Sequence, residues 1–583
     1  MMSPAMRTRL AYGIAGGATA VIWAAAAAWY VGSERTVYWW DYLMWWRSTV
    51  RLMVEMFTVP GQAVDSVRQS LESSEYPLLP AIPLAVWCAA AGTTRLPFVL
   101  GITTIYGAAA AAGLASICGA CQAEDDPPGS PGSASAAAAV PAVVFTLWSL
   151  PFVVAMRGFV DLGAVAISYA ILGLFFAAPR NRWNVGRWAA IGALLALLFV
   201  FRRYWAFWVT SFALVVAIDA LWQAWHLRNE TGRGWLRPLA APAVIGAASA
   251  ATAAILAWPM IMRMLTTSYA DIYSAYQVPA TASLLAEVAR SLTDLLAVNG
   301  VLATSAGLAG LGMLIAGRET RRMGLMIGAM AIFAYLQFRR VHWPGHHHHL
   351  LWSSLLTVTT AVAAASLSCR FRPWRAWSLL AGLMVAGSLQ WAAAAVPAAT
   401  GLRFLMNGSV AELPLVRRDL AELGRLVATI DRVAAEIGGR PPIYCLASSG
   451  VLNSNTLYAY PPSLHRPFHA AILVRNTADI DKRDGFPGDL ITAELVVVCD
   501  PPQVHQGIEN QQVVVEPVRQ LLSGEGFGAA FKRLPEEFML DEGVKTSLYV
   551  RIRPIESADV AALSAALRRY YPERPYVYEY RPR

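Results

Sequence analysis

The chain has 583 residues, 56% of them hydrophobic and only 15% charged, with 21 Trp, 34 Pro and a formal net charge of +9. An ordinary soluble domain is about 25% charged, so this composition excludes a wholly soluble protein, and it excludes a disordered chain, which needs low hydrophobicity and high charge. The positive balance is not a nucleic-acid signal: no Lys occurs before Lys482, and much of the Arg sits in short clusters between apolar runs, as membrane topology requires.

Residues 11–31 form an apolar run preceded by Arg7 and Arg9. Without a small-residue cleavage site followed by a mature soluble start, it reads as a first transmembrane helix rather than a removed signal peptide. Further apolar runs cover about 96–118, 137–155, 161–178, 188–201, 204–225, 238–260, 297–317, 324–338, 350–368 and 376–396. The run Leu78–Ala91 is short, follows Pro77 and contains Pro80 and Pro83; it predicts an interfacial or re-entrant helix in the first outer loop. From about residue 400 charges become frequent and apolar runs shorten. The expected organisation is a polytopic α-helical membrane domain of about 11 spans over 1–400, followed by an extracytoplasmic α/β domain over 401–583.

Arg placement orients the chain, because cytoplasmic loops collect positive charge. With the N-terminus inside, the basic loops 179–187, 226–237, 318–323 and 369–375 all fall inside, and the C-terminal domain falls outside the cytoplasm. The runs 188–201 and 324–338 are short against the roughly 20 residues of a full crossing. Short helices with charged outer ends suggest a polar cavity at the outer face.

The charges that break the orientation rule carry the functional signal. Arg157, Arg202, Arg203, Arg339 and Arg340 lie on the outer side by this count, at membrane edges. Arginine at such depth is costly unless paired or bound to an anion, and its planar fork suits phosphate; snorkelling to headgroups is the plainer alternative. Asp41 sits within Tyr38-Trp39-Trp40-Asp41-Tyr42-Leu43-Met44-Trp45-Trp46, just beyond the first span. A carboxylate held among rings is a candidate for proton transfer. Asp161, in Arg157-Gly158-Phe159-Val160-Asp161, is a second acid, with a helix N-cap as its bland alternative. Glu75 is a third. His346–His349 follow Arg339-Arg340-Val341-His342. Consecutive side chains diverge, so the run is not a metal motif by spacing; His342 and His346 are candidate sugar or phosphate contacts, and an interfacial face is the alternative.

An Asp soon after the first span, then Glu75-Tyr76-Pro77-Leu78-Leu79-Pro80, then Arg95-Leu96-Pro97 opening the next helix, together resemble the GT-C superfamily of membrane glycosyltransferases. The nearest likeness is to the protein O-mannosyltransferase and lipid A aminoarabinose transferase type, over about residues 1–210 and the Arg339–Leu350 turn. The resemblance implies a sugar donor linked to polyprenyl phosphate and transfer on the outer face of the membrane; one carboxylate as base predicts single displacement with inversion, and richness in Ala and Arg with almost no Lys points to a bacterial cytoplasmic membrane. It implies an envelope glycan, lipid or protein as acceptor. It makes Asp41 the base and Asp161 the second acid, leaves a divalent metal at Asp41 and Asp161 open, and gives the phosphate to the arginines. Glu75, Tyr42, His342 and His346 are its candidates for sugar contacts. Two departures stand out: Asp41 is followed by Tyr42 rather than a second acid, and Glu75-Tyr76-Pro77 replaces the family's His-Pro-Pro. A flippase for lipid-linked sugars, which would need inverted repeats and broken midplane helices, and a non-catalytic assembly protein are the alternatives from other classes.

In the tail, 411–436 has helical spacing of apolar positions, and Pro441–Ser448, Glu494–Asp500 and 546–554 read as strands. An α/β layer domain follows, with Asp500 at a strand end where ligands sometimes bind. The segment Asp479–Pro487 reads as a solvated loop or a lid.

Overall fold

A computed structural model describes residues 4–73, 76–122, 131–177, 184–228, 234–266, 283–340, 345–406, 413–438, 441–460, 474–475, 485–573 and 575–580. Glu75 and His342, and all of Asp479–Pro487 before Gly485, lie outside the described residues. The chain divides into two compact units. The first takes in the N-terminal helix to Ser33 and most of Trp45–Pro414; the second takes in Glu34–Met44 and Leu415–Arg583.

Among the described residues of the first unit, six helices are long and apolar enough to cross a membrane: Tyr12–Ser33, Arg95–Ala120, Arg203–Leu227, Arg237–Met262, His346–Arg370 and Pro373–Ala395. Two bent pairs pass the same test, which gives up to eight spans by length and composition against the 11 expected. The remaining expected runs form the helices Asp161–Phe176, Val185–Phe201 and Arg321–Arg339. Helices Trp40–Thr58, Pro60–Ser73 and Ala81–Ala91 fill the region expected to hold interfacial helices. The protein is a multi-pass membrane protein.

The bends have a chemical cause. Ala136–Leu147 meets Ser149–Met156 at 49°, and Ala286–Asn299 meets Val301–Ala316 at 117°. Trp148 takes an extended conformation and Gly300 has φ +82°, so both helices lose their regular hydrogen bonds there. One buried side chain supplies partners to both breaks. Gln390 Oε1 accepts from the Ala303 N–H at 2.8 Å, while Nε2 donates to the Asn299 carbonyl and to Ser149 Oγ at 3.2 Å. A Cβ at Gly300 would sit 2.5 Å from Gln390 Cδ, so this position needs glycine for its conformation and for its space. Irregular backbone inside an apolar bundle is tolerated only where such partners exist. The uninterrupted run expected at 297–317 is thus corrected: it contains a sharp corner, and part of the expected loop 261–296 is the helix Leu284–Asn299.

The second unit is an α/β layer structure. Its described strands are β1 (Ile443–Leu446), β2 (Val474–Arg475), β3 (Leu495–Asp500), β4 (Phe531–Met539) and β5 (Lys545–Arg551), in the order β2-β1-β3-β5-β4. β1 runs parallel to β2 and β3; β3 and β4 each run antiparallel to β5. Alternation along the strands fixes the two faces. Ile443, Cys445, Leu495, Val497 and Cys499 pack with Leu423, Leu426 and Ile430 of helix Leu420–Ile437. Tyr444, Leu446, Val496 and Val498 pack with helices Gln512–Ser523 and Ser557–Tyr570. The strands expected near 441–448, 494–500 and 546–554 are present. Asp500 ends β3 opposite Lys545, exposed.

Candidate active site

The turn Met156–Asp161 organises the site. Helix Ser149–Met156 stops because Gly158 adopts φ +81°. The Gly158 N–H then bonds to the Ala155 carbonyl at 2.9 Å and the Phe159 N–H to Val154 at 3.1 Å, the two-bond closure of a glycine-terminated helix. Asp161 opens the next helix. Its N-cap is Val160, and the carboxylate caps nothing, which removes the N-cap reading.

Asp161 is instead the centre of a buried cluster. The residue is wholly buried. Its Oδ1 accepts from Arg202 Nε at 3.0 Å and from the Tyr204 hydroxyl. Arg202 follows helix Val185–Phe201 in an extended conformation, which turns the chain and sends its side chain inward. Its guanidinium lies 5.1 Å from the Trp45 ring, 5.5 Å from Tyr76 and 5.2 Å from Tyr204. Two further buried arginines reach the same turn. Arg95 donates to the Met156 carbonyl at 3.4 Å, and its guanidinium would lie 2.6 Å from a Cβ at Gly158. Arg157 donates to the Leu413 carbonyl at 2.8 Å and sits 5.8 Å from the Tyr30 ring. Thus three buried guanidinium groups and one buried carboxylate gather around six residues of backbone.

Some polar atoms here await partners. Asp161 Oδ2 is buried and makes no hydrogen bond among the described residues, and neither do the indole N–H groups of Trp45 and Trp205. Buried polar groups are hydrogen-bonded in the great majority of native structures, so an acceptor and two donors close to Arg202 and Tyr204 fit a polar ligand.

The histidines fan around one turn, His346–His349. His347 stacks on Phe159 at 4.3 Å, and its carbonyl lies 3.4 Å from the Tyr204 hydroxyl. His348 packs edge-on to Tyr204 at 4.7 Å. His347 and His348, neighbours of the candidate His346, therefore face the Asp161 cluster. Among the described residues no three His, Cys, Asp or Glu side chains converge as metal ligands.

The other candidates lie as follows. Arg203 is half-buried in the turn Arg203–Trp205. Arg339 ends helix Arg321–Arg339 and pairs with Glu287 at 3.3 Å; Arg340 is exposed. Asp41 and Tyr42 belong to the second unit, both half-buried, and Asp41 lies in the first turn of helix Trp40–Thr58. Sequence reasoning passed over Arg95, Trp45, Tyr204 and His347 as site residues. The Arg95-Leu96-Pro97 motif was the available signal for the first; the others looked like ordinary members of an aromatic belt.

No family model and no curated protein matches the chain. Among solved structures it is similar to ArnT from Cupriavidus metallidurans bound to undecaprenyl phosphate, at 13% identity and a TM-score of 0.44, covering 79% of this chain and 86% of that one. It is also similar to ArnT of the same organism in the apo state, at 15% identity and a TM-score of 0.39, covering 77% and 84%. Likeness of this degree concerns the arrangement of helices and leaves the chemistry to the residues of the site.

Proposed function

We propose that the protein is an inverting glycosyltransferase that moves a sugar from a polyprenyl-phosphate donor to a cell-envelope acceptor at the outer face of a bacterial cytoplasmic membrane. The observation that carries this reading is the buried Asp161–Arg202–Tyr204 cluster, with Arg95 and Arg157 on the same turn and one carboxylate oxygen lacking a hydrogen bond among the described residues.

In glycosyl transfer the bond from the anomeric carbon to the phosphate oxygen breaks through an oxocarbenium-like state, and negative charge grows on the leaving phosphate. Guanidinium groups fixed in a water-poor site stabilise that charge without reorganising. Arg202, Arg95 and Arg157 are the proposed phosphate-side groups, with Arg203, Arg339 and Arg340 as outlying candidates. Asp161 holds Arg202 through Oδ1 and offers Oδ2 to a hydroxyl of the sugar. The acceptor oxygen bonds to the anomeric carbon and gives its proton to a carboxylate, proposed from the sequence motif to be Asp41. Proton transfer of this kind contributes about 10²–10⁴ in rate. Glu75, Tyr42, His342 and His346 remain proposed sugar contacts, and metal dependence follows from none of these residues.

The test has two arms. Undecaprenyl phosphate added to the purified full chain should raise its melting temperature, and undecaprenol, which lacks the phosphate, should not. In cells, deletion should remove one glycan or lipid species from the envelope mass spectrum. Equal stabilisation by the alcohol, or an unchanged envelope, overturns the proposal.

A further inference from the structure

Asp41 lies one residue after a backbone outlier. Trp40 has φ +43°, a left-handed conformation that a bulky side chain adopts only when its surroundings impose it. Such outliers cluster where a chain must present a group in one fixed direction. The surroundings here all belong to the second unit, whose core holds the preceding segment: Val37 is buried against helix Leu420–Ile437, Arg35 bridges to Val416, and Glu34 accepts from the Leu415 N–H at 3.2 Å.

Trp40 itself is gripped at two points. Its backbone N–H donates to Asn455 Oδ1 at 2.8 Å, and its ring lies 5.1 Å from the His505 imidazole. Both supports are fixed in turn. Asn455 Nδ2 donates to the Tyr458 hydroxyl at 3.1 Å, which sets which way its amide points. Gln511 Oε1 accepts from the backbone N–H of His505 and of Gln506, so its Nε2 is the side that faces His505 Nδ1 at 3.2 Å. Nδ1 also lies 2.9 Å from the Ser448 hydroxyl and 3.2 Å from the Ser448 carbonyl, so three polar groups surround this one ring nitrogen. Ser448, two residues beyond β1, and Gln511, at the start of helix Gln512–Ser523, are almost wholly buried, so the imidazole is held in one orientation. Burial also lowers its proton affinity, which keeps it neutral. Helix Trp40–Thr58 begins at once, with the Tyr42 and Leu43 N–H groups on the Trp39 carbonyl at 3.1 and 3.3 Å. The torsions of Trp40 thus set the direction in which Asp41 leaves the backbone.

We infer that Asn455 and His505 are positioning residues: they lock Trp40 in its left-handed conformation and so aim the Asp41 carboxylate. The inference rests on the reading of Asp41 as the base. Both act through the Trp40 backbone and ring.

The test uses the full chain returned to a deletion strain at matched membrane levels. Its readout is the abundance of the envelope species that deletion removes. Asn455→Ala and His505→Ala should lower that species at least tenfold. The stabilisation of the purified variants by undecaprenyl phosphate should stay as in the unmodified chain, a separation that a merely misfolded variant does not show. Asn455→Asp, which still accepts from Trp40, should restore at least half of the product. Normal product from Asn455→Ala, beside none from Asp41→Asn, overturns the positioning role and leaves the transferase reading intact. Equal loss in Asn455→Ala and Asn455→Asp overturns it too. Normal product from Asp41→Asn, or a deletion that changes no envelope species, overturns the reading of Asp41 and this inference with it.

Discussion

Asp161→Asn is the most informative single change in the first unit. The side chains of Arg202 and Asp161 are 5% and 0% exposed, and they meet at 3.0 Å. Removing one partner of such a buried pair costs about 3–5 kcal/mol, because the other charge stays desolvated. Three aromatic rings within 5.5 Å of the guanidinium centre offset part of that; each contact is worth about 0.5–2 kcal/mol. The net destabilisation is then on the order of 2–4 kcal/mol. The assay is thermal unfolding of the purified full chain in detergent, run as a cycle with Arg202→Met and the double variant. The double variant leaves no unpaired charge buried, so it should melt above Asp161→Asn, with a coupling of about 2 kcal/mol. It should also transfer no sugar, which separates the structural role of the pair from the chemical one. Additive effects of the two changes, or a single variant as stable as the parent to within about 0.5 kcal/mol, would refute the claim that this ion pair anchors the site.

Other consequences are as direct. Gly158→Ala places a Cβ 2.6 Å from the Arg95 guanidinium at φ +81°. It should cost about 1–3 kcal/mol in thermal unfolding and weaken stabilisation by undecaprenyl phosphate. Gln390→Leu strips partners from the Ala303 N–H and the Asn299 carbonyl. Each orphaned group costs about 1–3 kcal/mol, so a lower melting temperature is expected at all salt concentrations. His505 titrates below its ordinary value of 6.5, because burial disfavours the imidazolium. The unfolded chain therefore takes up this proton first. The contribution of His505 is fully present above about pH 6.5 and is lost as pH falls from there through the folded value. The melting temperature of the second unit should decline less over that window in His505→Gln than in the parent.

Much of this was legible in the sequence, and the rest was hidden for physical reasons. Arg202 and Asp161 stood out because charge at a membrane edge is costly. Their contact with each other was not readable, since it depends on how helix Asp161–Phe176 packs beside the end of Val185–Phe201. Gly300 gave no warning of a 117° corner, because glycine is common inside membrane helices and the run on both sides is apolar. β4 was missed because it is an edge strand, with Lys532, Arg533, Pro535, Glu536 and Glu537 along it and a register shift between Arg533 and Glu537. Those charges and the proline blunt an edge and erase the apolar alternation that marks inner strands. Asp41 shows the deepest limit. Periodicity and charge placed it near a membrane-spanning helix, yet Glu34–Met44 packs with the second unit through Val37 and Trp40, using partners near 416, 455 and 505. A single sequence carries no signal for a contact between residues 415 positions apart. The same long-range hold is what gives Trp40 its left-handed backbone, so a change at Asn455, far from any membrane helix in sequence, is where the aim of Asp41 is expected to fail first.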